Sequence, residues 1–177
     1  EYNDSEYSVA WIDLSGPSKG SIKSVLSLGS HSIDGELRVS KRREISVPRF
    51  VPEGLINNLS INLFNRLYYS TSVEKRVTKL TSYNNFFFPL DYVSNWNNLY
   101  GKRGFLQYQF VLPKDCGVLE LKEIIEIITN SNIKPSLAVL KKFGKENNNF
   151  LSFPREGLTL ALDFRMTSSI FELLKQL

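Results

Sequence analysis

The chain has 177 residues and a 42% hydrophobic fraction, enough for a packed core and too apolar for a disordered segment. Its net charge of +4 suits an anionic ligand but is too small to indicate nucleic acid by itself. One cysteine (Cys116) and one histidine (His31) exclude an internal disulfide and the usual clustered Cys/His metal sites, so no metal ligand set is assigned.

In chain order, Tyr7 to Leu14 alternates as a strand. A Ser-Gly-Pro-Ser-Lys-Gly turn at 15–20 leads into a second strand, Ser21 to Leu28, antiparallel to the first by its short connection. Residues 30–50 are polar and basic (Arg38, Lys41, Arg42, Arg43, Arg49) and read as a loop. That run is a solvated loop or, on a sharper reading, an anion contact at a pocket mouth or membrane surface. Pro52 and Gly54 open a helix to about Tyr68, with Leu55, Ile56, Leu59, Leu63 and Leu67 as its apolar stripe. Val73, Val77 and Leu80 suggest a short strand, and 85–91 is a loop rich in phenylalanine, followed by Trp96 and Tyr100.

Residues 105–113 alternate as a strand with Leu106, Tyr108 and Phe110 on one face and Phe105, Gln107, Gln109 and Val111 on the other. Asp115 caps a helix from about Gly117 to Thr129 whose buried face is Leu121, Ile124, Ile125 and Ile128. Ser136–Phe143 and Gly157–Arg165 are further strands, before a last amphipathic helix with no stop signal. This order predicts an α+β fold, a mostly antiparallel sheet with helices packed on one face. Residues 1–177 are expected to form a single domain. Both ends read as cut, so the expectation is a piece of a longer chain. No apolar run approaches the roughly 20 residues of a membrane span, and no signal peptide is visible at the start.

The strand faces raise the functional question. Leu158, Leu160, Leu162 and Phe164 should meet the helices, while Thr159, Ala161 and Asp163 point away. Leu137, Val139, Lys141 and Phe143 likewise share one face. Side-by-side glutamines need hydrogen-bond partners, and either water or a polar ligand supplies them. One polar face is what a half-solvated antiparallel sheet shows, and also what a pocket floor shows. No glycine-rich phosphate loop and no close carboxylate pair is present. His31 reads as a surface or packing residue, and Cys116 as a passive thiol unless the adjoining helix start lowers its pKa.

A set of motifs then occurs in order. These are Val9-Ala10-Trp11-Ile12-Asp13, Phe88-Pro89-Leu90-Asp91, Trp96-Asn97, Tyr100-Gly101, and Gly104 through Val111. Lys141, Phe143-Gly144, Leu151-Ser152-Phe153-Pro154, Gly157 and Asp163-Phe164 follow. Together they resemble the substrate-binding (cap) region of the bacterial decaprenylphosphoryl-β-D-ribose 2′-oxidase family, FAD-linked oxidases of the vanillyl-alcohol oxidase type. The resemblance covers nearly the whole chain, loosely over 30–85 and strongly over 86–165.

The resemblance implies an FAD-dependent oxidoreductase that oxidises a secondary alcohol on a sugar or sugar-phosphate lipid. FAD would be bound mainly by an N-terminal domain absent from this chain. Gln107 and Gln109 would be polar pocket groups, and Lys141 a cation near substrate or flavin, with Gln109 and Lys141 also touching the cofactor. Val139 and Phe143 would be apolar walls, and Trp11 and Phe87 would line the outer pocket. Thr159 stands where the best-known members carry asparagine, Ala161 where actinobacterial members carry cysteine, and Phe87 where tyrosine is common. The family's catalytic lysine and its tyrosine neighbour lie beyond Leu177, so this piece alone would be inactive. The implied partners are a small-molecule sugar or polyprenyl-phosphate sugar, an epimerase-type reductase, and a peripheral membrane contact. The implied location is cytoplasmic or at the inner membrane, with the periplasmic side also open. The competing reading is a non-catalytic nucleic-acid-binding or interaction module, with strand aromatics stacking on bases and the basic loop meeting phosphates.

Overall fold

A computed structural model describes residues 5–16, 22–33, 45–72, 76–115, 118–152 and 154–177. The expected contacts of Arg38, Lys41, Arg42, Arg43, Cys116 and Gly117 lie outside the described residues. Five strands form one sheet: β1 (Tyr7–Ile12), β2 (Ser24–Gly29), β5 (Phe105–Pro113), β6 (Leu137–Phe143) and β7 (Gly157–Arg165). Their order is β2-β1-β6-β7-β5, and every neighbouring pair is antiparallel. The fold is α+β, as the strand and helix patterns predict.

Alternation decides which side each residue takes. Ile12, Ala138, Leu160, Leu162 and Phe164 point to the core. There they meet Leu121, Ile124 and Ile128 of α3 (Val118–Asn130) and Ile170 and Leu173 of α4 (Ile170–Leu174). Leu106, Tyr108, Phe110 and Ile125 pack at the margin of this cluster, as their faces predict. The Lys134 ammonium donates to the carbonyls of Ile128 and Thr129, satisfying the C-terminal end of α3.

The other side of the sheet is bordered by smaller elements. A two-residue parallel pair, β3 (Ile45–Ser46) with β4 (Val93–Ser94), braces a 3₁₀ segment, Trp96–Arg103. Its Trp96 and Tyr100 rings each lie 4.8 Å from the Phe105 ring. The aromatic stretch at 85–91 is not an open loop. It forms a short helix, α2 (Tyr83–Phe87), followed by a 3₁₀ turn at Pro89–Tyr92. Phe86 sits so close over Gly29 that a β-carbon there would come within 2.5 Å of the ring.

Two expectations are corrected. Residues 76–82 form no strand, and Val77 and Leu80 are exposed without a pairing partner; Val73 lies outside the described residues. The first helix, α1 (Asn58–Ser70), begins later than Pro52 and Gly54 suggest. Asn57 accepts from the backbone N–H groups of Leu59 and Ser60, and the Ser60 hydroxyl accepts from the Asn57 N–H. Its stripe also faces the other way: Leu59, Leu63 and Leu67 are 79%, 58% and 57% exposed, while Ile61 and Asn65 are buried. The cause is a polar knot. Asn65 Nδ2 donates to Asp13 Oδ1 at 2.8 Å, and the Ser15 hydroxyl donates to Asn62 Oδ1 at 2.7 Å. Only that side of α1 carries amides able to meet the end of β1. Among the described residues no helix is long and apolar enough to cross a membrane.

Candidate functional site

The register gathers most of the expected site residues on the sheet face away from α3. Gln109 pairs with Ala161, Ala161 with Val139, and Val139 with Trp11, so one cross-strand row runs over four strands. The next row reads Val111, Thr159, Lys141, Val9. On the opposite side of the Gln109 row, Gln107 pairs with Asp163 and Asp163 with Leu137. Phe143 pairs with Gly157 one row beyond Lys141. Rows on one face lie about 7 Å apart along the strands and about 4.8 Å from strand to strand. Gln109, Ala161 and Val139 therefore lie on one row about 10 Å across, with Gln107 and Lys141 on the rows to either side, so the set spans about 17 Å from corner to corner.

Gln107, Gln109 and Lys141 are exposed, so this floor is an open surface in the chain. Lys141 has no hydrogen-bond or ion-pair partner among the described residues, which leaves a cation on the same face as the two amides, with β7 between them. Val139, Phe143 and Ala161 are half-buried and form the apolar part of the floor. Gly157 has a packing reason to be glycine: a β-carbon would lie 2.1 Å from the Leu112 carbonyl oxygen of the neighbouring strand.

Thr159 shares this face, with its side chain buried under Gln109. It is 1% exposed. Its hydroxyl donates to the Phe110 carbonyl at 2.9 Å and accepts from Gln109 Nε2 at 3.0 Å. Asp163, which the sequence placed on this face without a role, is 3% exposed and accepts from Gln107 Nε2 at 2.8 Å. Burial raises its pKa above the ordinary carboxylate value, and the Gln107 hydrogen bond opposes that rise. Nearby, the Ser136 hydroxyl donates to the Asp163 backbone carbonyl, leaving it to accept from the Tyr100 hydroxyl at 2.6 Å. Burial pushes the Tyr100 pKa up as well.

The outer aromatics divide. The Phe87 ring stands 4.8 Å from Tyr7, two residues from Val9 on the same strand face, so it borders the floor at the β1 end. Trp11 is buried, with the Tyr68 ring of α1 4.9 Å away. It closes that end of the row more as a packed wall than as an open contact. His31 accepts no catalytic arrangement: its ring lies 3.2 Å from the Tyr7 hydroxyl at an exposed edge, as a packing residue would.

This geometry is accompanied by a sequence match. Over 180 aligned residues the chain is 34% identical to a decaprenylphosphoryl-beta-D-ribose oxidase of Mycolicibacterium smegmatis (strain ATCC 700084 / mc(2)155), and the match covers 97% of the chain. The chain is similar to part of that oxidase. It spans 39% of the oxidase's length. The resemblance expected from the ordered motifs is thereby borne out. No protein-family model matches the chain.

The floor fits the edge of a flat, polar-rimmed ring such as a flavin. Ala161 keeps the centre of the Gln109–Val139 row low, and Lys141 supplies an unpaired cation one row away. Gln109 and Lys141 are the residues that would meet such a group. Nothing in the described face offers a nucleophile paired with a base.

Proposed function

We propose that this chain is the substrate-binding part of an FAD-dependent oxidoreductase that oxidises a secondary alcohol on a sugar or sugar-phosphate lipid. The observation that carries this reading is the cross-strand row Gln109–Ala161–Val139–Trp11 flanked by Lys141 and Gln107, in a chain similar along 97% of its length to a sugar-lipid oxidase. Gln109 and Lys141 would meet FAD, which when bound would supply the two-electron acceptor for oxidation of the alcohol. The residues of this chain bind and orient. The glutamine carbonyls accept hydrogen bonds from sugar hydroxyls, Lys141 holds an oxyanion or carbonyl oxygen, and Val139, Ala161 and Phe143 exclude water beneath the ring. FAD is held mainly by sequence outside this segment. The proposed substrate class is a sugar or polyprenyl-phosphate sugar, and membrane contact and a downstream reductase belong to the same proposal.

The test is expression of the complete polypeptide that contains this segment. A yellow protein with flavin absorption is expected, and a colourless one overturns the reading. In that protein Lys141→Ala and Gln109→Ala should each lower kcat/KM by about 10-fold or more, the scale of one lost charged or polar contact. Both side chains are exposed, so their loss should move stability by less than about 0.5 kcal/mol. Wild-type turnover in both variants would remove these residues from the site.

A further inference from the structure

Hydrogen-bond arithmetic beneath the floor fixes which way the two glutamines point. A threonine hydroxyl has one proton. That of Thr159 goes to the Phe110 carbonyl, so toward Gln109 it can only accept. Once ionised, the Asp163 carboxylate also only accepts, and it meets Gln107 at 2.8 Å. Each glutamine must therefore turn its NH₂ group down to β7. Neither glutamine carbonyl oxygen has a partner among the described residues.

We infer that Thr159 and Asp163 are positioning residues that set the hydrogen-bond polarity of the floor. They present the Gln107 and Gln109 carbonyls as paired acceptors for adjacent hydroxyl donors on the ligand. This deepens the proposed function and rests on it. It assigns the substrate edge over β5 to a polyol face rich in O–H donors, and the edge over Lys141 to an acceptor or anion. Neither Thr159 nor Asp163 touches the ligand, because both are buried. Their effect is exerted through amide orientation. A site built on fixed acceptors rejects an analogue lacking the matching hydroxyl, since the acceptor is left unpaired.

The experiment uses the complete flavoprotein and two probes. One is a polyprenylphosphoryl ribose with a short prenyl chain. The other is its analogue lacking the ribose hydroxyl next to the reacting carbinol. Wild-type protein should prefer the intact probe. Thr159→Val, which keeps shape and removes the hydroxyl, should shrink that preference by about 10-fold, chiefly through KM for the intact probe, with kcat little changed. Thr159→Ser should restore it. A purely structural role would weaken both probes alike, and an unchanged preference in a folded Thr159→Val protein overturns the inference. A neutron structure of the wild-type protein reads the same point without turnover. Deuterons on the β7-facing atoms of Gln107 and Gln109 are expected, and carbonyls facing Thr159 or Asp163 overturn it. Failure of the intact probe to react with wild-type protein would count against the proposed substrate class, whereas the amide orientation stands or falls on the deuterons.

Discussion

Asp163 is a buried acid under the candidate floor, hydrogen-bonded to Gln107. Its carboxyl lies under the sheet surface, where burial raises its pKa and the Gln107 N–H partly opposes the rise. A raised folded-state pKa means that the native protein holds its proton to higher pH than the unfolded chain does, whose carboxyl titrates near about 3.9. Stability from this group is therefore fully present below about pH 4 and falls as pH rises through the folded value. The other ionisable groups nearby are Tyr100, reached through Ser136, and Arg165, two residues along the same strand face. Burial raises the Tyr100 pKa, so its hydroxyl stays protonated throughout that window. Asp163→Asn should thus stabilise the protein at pH 7, and the gain should shrink towards zero at pH 3.5. Melting curves at the two pH values check this; a gain that grows in acid would contradict it. The sequence placed Asp163 on the correct face but gave it no task, because burial and the cross-strand partner are properties of register.

Element orientation was legible where one face had an unambiguous apolar partner. The alternation of β5, β6 and β7 and the buried side of α3 follow directly from the pattern of leucines, isoleucines and phenylalanines. The stripe on α1 misled for a definite reason. Leucine spacing says that a face is apolar, not that this chain covers it, and the Asp13–Ser15–Asn62–Asn65 knot turned the opposite side inward. Ile61→Ala should therefore destabilise by about 2 kcal/mol or more, as a core truncation does. Leu63→Lys, on the stripe, should change stability by less than about 0.5 kcal/mol. Urea titration of the two variants measures the contrast; equal losses would mean that the stripe is covered. On β7, Gly157→Ala would drive a β-carbon into the Leu112 carbonyl. It should cost about 1–3 kcal/mol, the usual scale of overpacking, at a position where sequence alone offered only a motif glycine.

At the scale of the molecule, one strand serves two surfaces. On β7, Leu160, Leu162 and Phe164 enter the core with α3 and α4, while Thr159, Ala161 and Asp163 build the floor on the reverse side. Because β7 is the centre of the β6–β7–β5 ladder, the two surfaces share one backbone and are expected to unfold together. That coupling was hidden in the sequence: it depends on the pairing of β1 with β6 and of β5 with β7, strands far apart in the chain, and no local pattern encodes such pairings. It has a measurable consequence. Both tryptophans report from the floor side, Trp11 in the row with Val139 and Trp96 against Phe105, whereas helical circular dichroism draws on both long helices, α1 beside Trp11 and α3 in the core. Ile128 is fully buried on α3 in the core cluster, to which neither tryptophan belongs. Ile128→Ala should lower stability by about 2–5 kcal/mol. If the sheet is one cooperative unit, it should shift the fluorescence and circular-dichroism midpoints together, since a two-state transition looks the same to every probe. A dichroism midpoint that moves while tryptophan fluorescence stays in place would divide the chain into two independently folding parts and uncouple the floor from the core that supports it.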